Sequence, residues 1–170
     1  ALPLLVEVAE FLQAPVATSL QGLSVFPATH PLHAGFSFGP HAAPSARNAF
    51  ADCDAILAVG TRFGEIATGS FGVSVPENLV HIDINPEVFS KNYPAKVALE
   101  GDAAAVLQRL TFALRARGAA RPAGSGPQEQ IRRDKQAYRE EWYAHDGKGR
   151  VNPARFFDEV RKQMPDDAIT

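Results

Sequence analysis

The sequence has little cysteine, little excess charge and no long apolar run, and each shortage excludes a class of protein. Its 170 residues include one cysteine, which excludes an internal disulfide or a cysteine-based metal site and fits a reducing cytoplasm. Lysine and arginine number 17 against 19 acidic residues, a formal net charge of −2. That balance favours neither nucleic acid nor an anionic membrane as a partner. No apolar run approaches the roughly 18 residues of a membrane-spanning helix.

The apolar pattern that is present predicts an α/β fold. Residues 55–59 form a short apolar run that is typical of a strand buried on both faces. Short turns join it to further strands and helices, which indicates a three-layer, Rossmann-like parallel sheet flanked by helices. The other strands are expected at 16–19, 79–83 and 96–100, the helices at 3–13, 42–52, from Asn85 and at 103–115, and loops at 20–41 and 63–78.

The last third of the sequence has a different character. Residues 118–128 have linker composition. A highly charged helix of about fifteen residues should follow, and its narrow stripe of Ile131, Tyr138 and Trp142 predicts packing across another domain. A last helix opens at Asn152, and an interrupted strand follows it. We therefore expect three regions, 1–117, 118–150 and 151–170, in a piece of a larger protein.

Three predicted strand ends offer places for a ligand. Gly60 and Arg62 follow the first, and a glycine turn with an arginine at the carboxyl end of a parallel strand suits a phosphate. Asp83 ends the second strand, about where a dinucleotide-binding fold holds ribose hydroxyls, and Asp102 follows the third. Ordinary roles stay open for each: an ion pair of Arg62 with Glu65, a solvated turn for Asp83, and a helix cap for Asp102.

Other candidate sites have weaker support in the sequence. There is no Gly-x-Gly-x-x-Gly fingerprint, although a first strand and its turn would lie before Ala1. His30 and His33 have no acid or cysteine near them in the sequence, which argues against a metal site. Cys53 is expected to be a buried, inert thiol. No Gly-x-Ser-x-Gly turn supports a hydrolase triad.

Three stretches of sequence carry a family resemblance. They are Ala-Asp-Cys-Asp-Ala-Ile-Leu-Ala-Val-Gly-Thr-Arg-Phe at 51–63, Leu-Val-His-Ile-Asp-Ile-Asn-Pro-Glu at 79–87 and Leu-Glu-Gly-Asp-Ala at 99–103. Together they resemble the middle domain of thiamine diphosphate-dependent enzymes, nearest to the acetolactate synthase large subunit. The resemblance covers 1–117, and 151–170 resembles the opening helix and strand of the domain that binds the cofactor's diphosphate.

The resemblance implies a parent enzyme that condenses or decarboxylates 2-oxo acids such as pyruvate with thiamine diphosphate and Mg²⁺. The activating glutamate would belong to an N-terminal domain, and the metal and diphosphate ligands would lie beyond Thr170. The fragment alone is therefore expected to be non-catalytic. The implied partners are the neighbouring domains and a homo-oligomer, dimer or tetramer, with no nucleic acid or membrane. The implied setting is branched-chain amino acid biosynthesis in the cytoplasm.

The resemblance also implies a role for the middle domain itself, which is structural support and, in some members, a site for FAD or ADP. By position, Arg62 would face the phosphates, Asp83 and Ile84 the ribose and adenine side, and Asp102 and Ala103 the adenine.

One stretch departs from the family pattern. Flavin-binding members carry Gly-Met-His-Gly where this sequence reads Gly39-Pro40-His41-Ala42. Two alternatives stay open beside the thiamine enzyme: a stand-alone nucleotide-binding module, of electron-transfer flavoprotein or NAD-binding type, and a scaffold domain with no ligand.

Overall fold

A computed structural model describes residues 2–51, 53–118, 126–145, 147–165 and 168. The chain divides into two compact units, Ala1–Arg132 and Arg133–Thr170. In chain order the elements are α1 (Leu2–Leu12), β1 (Val16–Thr18), β2 (His33–Phe36), α2 (Pro44–Ala51), β3 (Ala55–Val59), β4 (Asn78–Asp83), β5 (Val97–Glu100), α3 (Ala103–Arg117), α4 (Gly126–Ala144) and α5 (Pro153–Gln163).

The strands pair in parallel, as the sequence pattern predicts. β1 pairs with β2, and β3, β4 and β5 form a second sheet in that order. Val59 lies opposite Ile82, and Asp83 lies opposite Glu100. This register brings the carboxyl ends of β3, β4 and β5 to the same edge.

Helices α1 and α3 cover one face of the β3–β5 sheet, and loop residues with one side chain of α2 cover the other, in the predicted three-layer arrangement. Alternate residues of a strand point to opposite faces. On one face, Ile82 packs in a cluster with Val8 of α1 and Leu107 of α3, all at most 2% exposed. On the other face, Ala58 and Leu79 pack with loop phenylalanines and the partly buried Phe50 of α2. Burial of each large side chain contributes about 1.5–3 kcal/mol, so these two clusters hold the layers together.

β3 is less buried than its sequence predicts. Ala58 is 4% exposed, but Ala55 is exposed and the other three residues are half-buried. The physical reason is that β3 pairs only with β4, and no ladder joins it to β1 within the ranges given above. A cavity of about 1040 Å³ has Ile56 and Leu57, from opposite faces of the strand, both in its wall, and it extends to Val80 and Leu99 of the neighbouring strands.

The predicted loop at 20–41 is wrong in one segment, because His33–Phe36 forms β2. Its small residues give a weak strand pattern, but they allow close packing. Ala34 is fully buried, and its carbonyl accepts a hydrogen bond from the Ser45 hydroxyl of α2. The helix expected from Asn85 is also shorter than predicted. Asn85 caps a single turn, Pro86–Val88, by accepting a hydrogen bond from the Glu87 amide.

The linker prediction is wrong at its end, because 126–128 already belong to α4. Residues 119–125 lie outside the described residues. So do residue 52, where the second helix was expected to end, and 166–167 and 169–170 of the predicted terminal strand. The remaining helix predictions agree with α1, α2, α3 and α5 to within about two residues, the usual uncertainty of helix ends.

The apolar stripe of α4 does not act as one surface. Ile131 is 3% exposed and packs on Ala34, Ala42 and Ala46 in the core of the first unit, so the prediction of interdomain packing is wrong for this residue. The cause is the small side chains of β2 and α2, which leave space for a large one.

The second unit is held by polar and aromatic contacts between α4 and α5. Arg139 pairs with Asp158 at 2.5 Å, and its guanidinium lies 5.1 Å from the centre of the Tyr143 ring. The last helix begins where the sequence predicts, and Asn152 caps it by accepting a hydrogen bond from the Arg155 amide. The Asn152 side chain also donates to the Trp142 carbonyl.

Candidate functional site

Backbone hydrogen bonds fix two of the predicted site residues, Gly60 and Asp83, at the carboxyl edge of the β3–β5 sheet. The amide of Gly60 donates to the carbonyl of Ile82 at 2.9 Å, and the amide of Gly101 donates to the carbonyl of Asp83 at 3.0 Å. Asp102 follows Gly101 directly. Ligands of open parallel sheets bind at this edge, so the structure brings the predicted strand-end residues together where a ligand would bind.

The turn after β3 offers hydrogen-bond donors to a ligand. Gly60 has a φ of +61°, and no atom lies within 4 Å of where its Cβ would be. Arg62 is exposed, and its guanidinium has no hydrogen-bond or ion-pair partner among the described side chains. The alternative pairing with Glu65 is therefore not formed. The backbone amides of Thr61 and Arg62 also have no acceptor in this part of the chain.

Two side chains bind the carbonyl oxygens of this turn. Nε2 of His81 lies 2.8 Å from the Thr61 carbonyl oxygen, and because a carbonyl only accepts, Nε2 is the donor. The Asn92 amide donates to the carbonyls of Arg62 (3.2 Å) and Phe63 (3.0 Å).

The sequence pattern does not single out His81 or Asn92 as site residues. The available signal for His81 is a polar ring inside an apolar strand. Asn92 has no local signal, because its partners lie some thirty positions earlier.

One carboxylate oxygen of Asp83 stabilises a turn, and the other has no described partner. Its Oδ1 accepts a hydrogen bond from the Asn85 amide at 2.9 Å, which is the turn role that the sequence left open. Its other carboxylate oxygen has no donor within the described ranges, and the residue is half-buried. Ile84 beside it is 71% exposed. The pair therefore presents an acceptor and an apolar side chain at the edge.

Asp102 and Ala103 are explained by helix capping. Oδ1 of Asp102 accepts from the Ala105 amide at 3.0 Å, and Ala103 begins α3. This is the alternative role that the sequence left open for Asp102.

Gly39 is explained by packing. A Cβ on it would lie 2.5 Å from the carbonyl carbon of Thr68 and 2.6 Å from its oxygen. Only glycine allows this approach of two backbones, so the structure gives Gly39 a role that needs no ligand.

The weaker candidates have structural partners. Nε2 of His30 lies 3.1 Å from Glu10, an acid that the sequence did not place near it, and Nδ1 accepts from the Leu32 amide. Cys53 is half-buried, not buried as expected, and its thiol donates to the Phe50 carbonyl. Among the described residues no three His, Cys, Asp or Glu side chains cluster to hold a metal. No helix in the same ranges is long and apolar enough to cross a membrane.

Comparison with known proteins places most of the first unit in one family. The family model described as thiamine pyrophosphate enzyme, central domain, matches residues 1–110. A probable acetolactate synthase large subunit of Methanocaldococcus jannaschii is 41% identical over 111 residues, 65% of this chain and 19% of that protein. The acetolactate synthase isozyme 3 large subunit of Escherichia coli K12 is 37% identical over 117 residues, 68% of this chain and 20% of that protein.

The matched region spans about a fifth of the length of these relatives. The match begins at α1 and ends within α3, so it contains every strand of the described residues and the whole carboxyl edge of β3–β5. The chain belongs to the thiamine pyrophosphate enzyme family, and residues 1–110 are its central domain.

Proposed function

We propose that this central domain binds the adenosine diphosphate part of FAD or ADP at the carboxyl edge of β3–β5. The observation that carries the proposal is the turn at Gly60–Arg62. There a guanidinium and two backbone amides, none with a partner among the described residues, lie at the end of a parallel strand. Arginine and successive backbone amides are the donors that bind phosphate oxygens best.

The neighbouring strand end supports the nucleoside half of the ligand. The Asp83 oxygen that has no donor within the described ranges can accept a hydrogen bond from a ribose hydroxyl. The exposed Ile84 offers apolar surface to an adenine ring. Asp102 and Ala103, where the loop after β5 joins α3, are proposed to lie on the adenine side of the ligand.

The choice between FAD and ADP rests on the loop around Gly39. The residues at the carboxyl edge would contact only the adenosine diphosphate part, which FAD and ADP share. The flavin pattern of the family is altered at Pro40 and Ala42. Pro40 packs tightly on the next loop, where a Cβ on Gly69 would meet its ring at 2.6 Å. We propose ADP and FAD as the two ligands to compare, with the adenosine diphosphate part as the common determinant.

The activity of the longer parent protein is a further part of the proposal. The relatives are named acetolactate synthase large subunits. On that basis we infer a parent that condenses or decarboxylates 2-oxo acids with thiamine diphosphate and Mg²⁺, assembled from neighbouring domains into a cytoplasmic homo-oligomer for branched-chain amino acid synthesis. The described residues offer no cluster for a metal, so no step of that chemistry is assigned to them.

Isothermal titration of the 170-residue chain with ADP, FAD and adenosine tests the site. We expect saturable ADP binding, weakened about tenfold or more in Arg62→Ala, because a charge-assisted hydrogen bond to phosphate is lost. Arg109→Ala is the matched control, since Arg109 is an exposed arginine of α3. Adenosine should bind the wild type and Arg62→Ala alike.

Three outcomes of the titration have different meanings. Binding of FAD but not ADP would show that the flavin part contributes affinity despite the altered loop. Absence of heat from either ligand, in a sample with native circular dichroism, would refute the site and leave a scaffold domain. An equal loss in Arg62→Ala and Arg109→Ala would show that ADP responds only to net charge.

A further inference from the structure

We propose that His81 and Asn92 are positioning residues that hold the turn after β3 in the orientation that binds a diphosphate. The inference deepens the proposed nucleotide site and rests on it. Neither side chain is proposed to contact the ligand. They act through the carbonyl oxygens of the turn.

The side-chain hydrogen bonds that His81 and Asn92 make to the turn all go to its carbonyl oxygens. The carbonyls of three successive residues, 61, 62 and 63, all accept from side chains, one from His81 and two from Asn92. The amides of Thr61 and Arg62 donate to no acceptor in the described structure. A turn whose carbonyls are bound on one side leaves these amides for a ligand on the other.

The backbone of the turn needs this support. Gly60 has a φ of +61° and Phe63 a φ of +48°. A left-handed conformation is easy for glycine but costly for phenylalanine, and it persists only where its surroundings impose it. The bond from Asn92 to the Phe63 carbonyl is one such restraint. Burial of the Phe63 ring, 4% exposed, is another.

Burial of the polar His81 ring costs free energy, which suggests that its Nε2 donor has a structural use. It is 1% exposed, and its ring packs edge-to-face on Phe63 and Phe89 at 5.5 and 5.1 Å. Its Nδ1 is buried and has no hydrogen-bond partner in the described structure. An apolar side chain would avoid that unsatisfied atom, but it would lose the bond from Nε2 to the Thr61 carbonyl.

Asn92 contributes from a different part of the chain. It lies between the single helical turn after β4 and the start of β5, and it is exposed. Truncation at an exposed position leaves the core intact, so Asn92→Ala separates positioning of the turn from folding of the domain. His81→Gln offers a second separation, because the glutamine Nε2 is as many bonds from the backbone as the histidine Nε2 and can donate to the same carbonyl.

The test combines backbone dynamics with ligand affinity. The variants are Asn92→Ala, His81→Leu and His81→Gln. Asn78→Ala is the matched control, because the Asn78 side chain donates to the Asp54 carbonyl, the same type of bond at the opposite end of β4. The ¹⁵N relaxation of 61–63 reports the order of the turn, and calorimetry compares ADP with adenosine.

We expect order parameters at 61–63 to fall from about 0.85 to below about 0.6 in Asn92→Ala and His81→Leu. They should stay near the wild-type value in His81→Gln and Asn78→Ala. ADP affinity should fall about tenfold in the first two variants and recover in His81→Gln, with adenosine affinity unchanged.

Two results would overturn the inference: unchanged order at 61–63 in Asn92→Ala, or equal losses of ADP and adenosine affinity. A wild-type chain that binds no ADP would refute the nucleotide site, and the relaxation data would then decide alone whether the two side chains order the turn.

Discussion

Substitution of Gly39 by alanine tests whether this glycine is required for packing. The added Cβ would lie 2.5 Å from the Thr68 carbonyl carbon, and ordinary contact begins at 3.4 Å, so the two backbones must separate by about 0.9 Å. Thr68 resists this movement because its hydroxyl donates to the Gly64 carbonyl at 3.0 Å and accepts from the Phe71 amide at 3.1 Å. We expect a loss of about 2–3 kcal/mol in the free energy of unfolding, at the upper end of overpacking costs.

Urea denaturation followed by far-ultraviolet circular dichroism measures the effect of Gly39→Ala. With a slope of about 2 kcal/mol per molar urea, the midpoint should fall by about 1 M or more. Gly64→Ala is the matched control, since nothing lies within 4 Å of its Cβ position and its φ is not left-handed. That variant should be neutral or more stable by about 0.4–1 kcal/mol. Equal midpoints for the two variants would refute the packing account of Gly39.

Two further substitutions test the core and a helix cap. Ile131→Ala should lower the free energy of unfolding by about 2–4 kcal/mol, because the side chain is 3% exposed among small residues that cannot fill the cavity. Tyr138→Ala, at a 38% exposed position of the same helix, should lower it clearly less. Equal losses in the two variants would contradict the burial of Ile131. Asp102→Ala should lower the free energy of unfolding, measured by denaturant titration, by about 1 kcal/mol. Asp102→Asn keeps the capping oxygen and should lower it by only about a few tenths of a kcal/mol. Equal losses in the two variants would exclude capping as the reason for the aspartate.

The parallel sheet and its carboxyl edge are the most predictable part of this chain. β3, β4 and β5 are short apolar runs that end at Gly60, Asp83 and Gly101, and such endings define the carboxyl edge without knowledge of the packing. β2 is less predictable, because Ala34 and Gly35 give a strand by fitting against α2 and not by their own preference.

Long-range packing explains the residues that the sequence did not identify. The partners of Asn92 lie 30 and 29 positions away, and a hydrogen bond at that separation leaves no local pattern. Ile131 shows the same limit in an apolar residue. Its spacing on α4 indicates a stripe, but only the small side chains of β2 and α2 determine that the first residue of the stripe is buried.

The distribution of roles along the carboxyl edge has a consequence for ligand choice. Asp102 caps α3 and Gly39 is needed for packing, so both have a use without any ligand. The guanidinium of Arg62 and the second oxygen of Asp83 have no such use in the described structure. The groups left over would therefore suit a phosphate and a ribose hydroxyl, not a flavin ring. If the domain prefers FAD to ADP, that preference must come from residues outside this edge, and Arg62→Ala should weaken both ligands by the same factor.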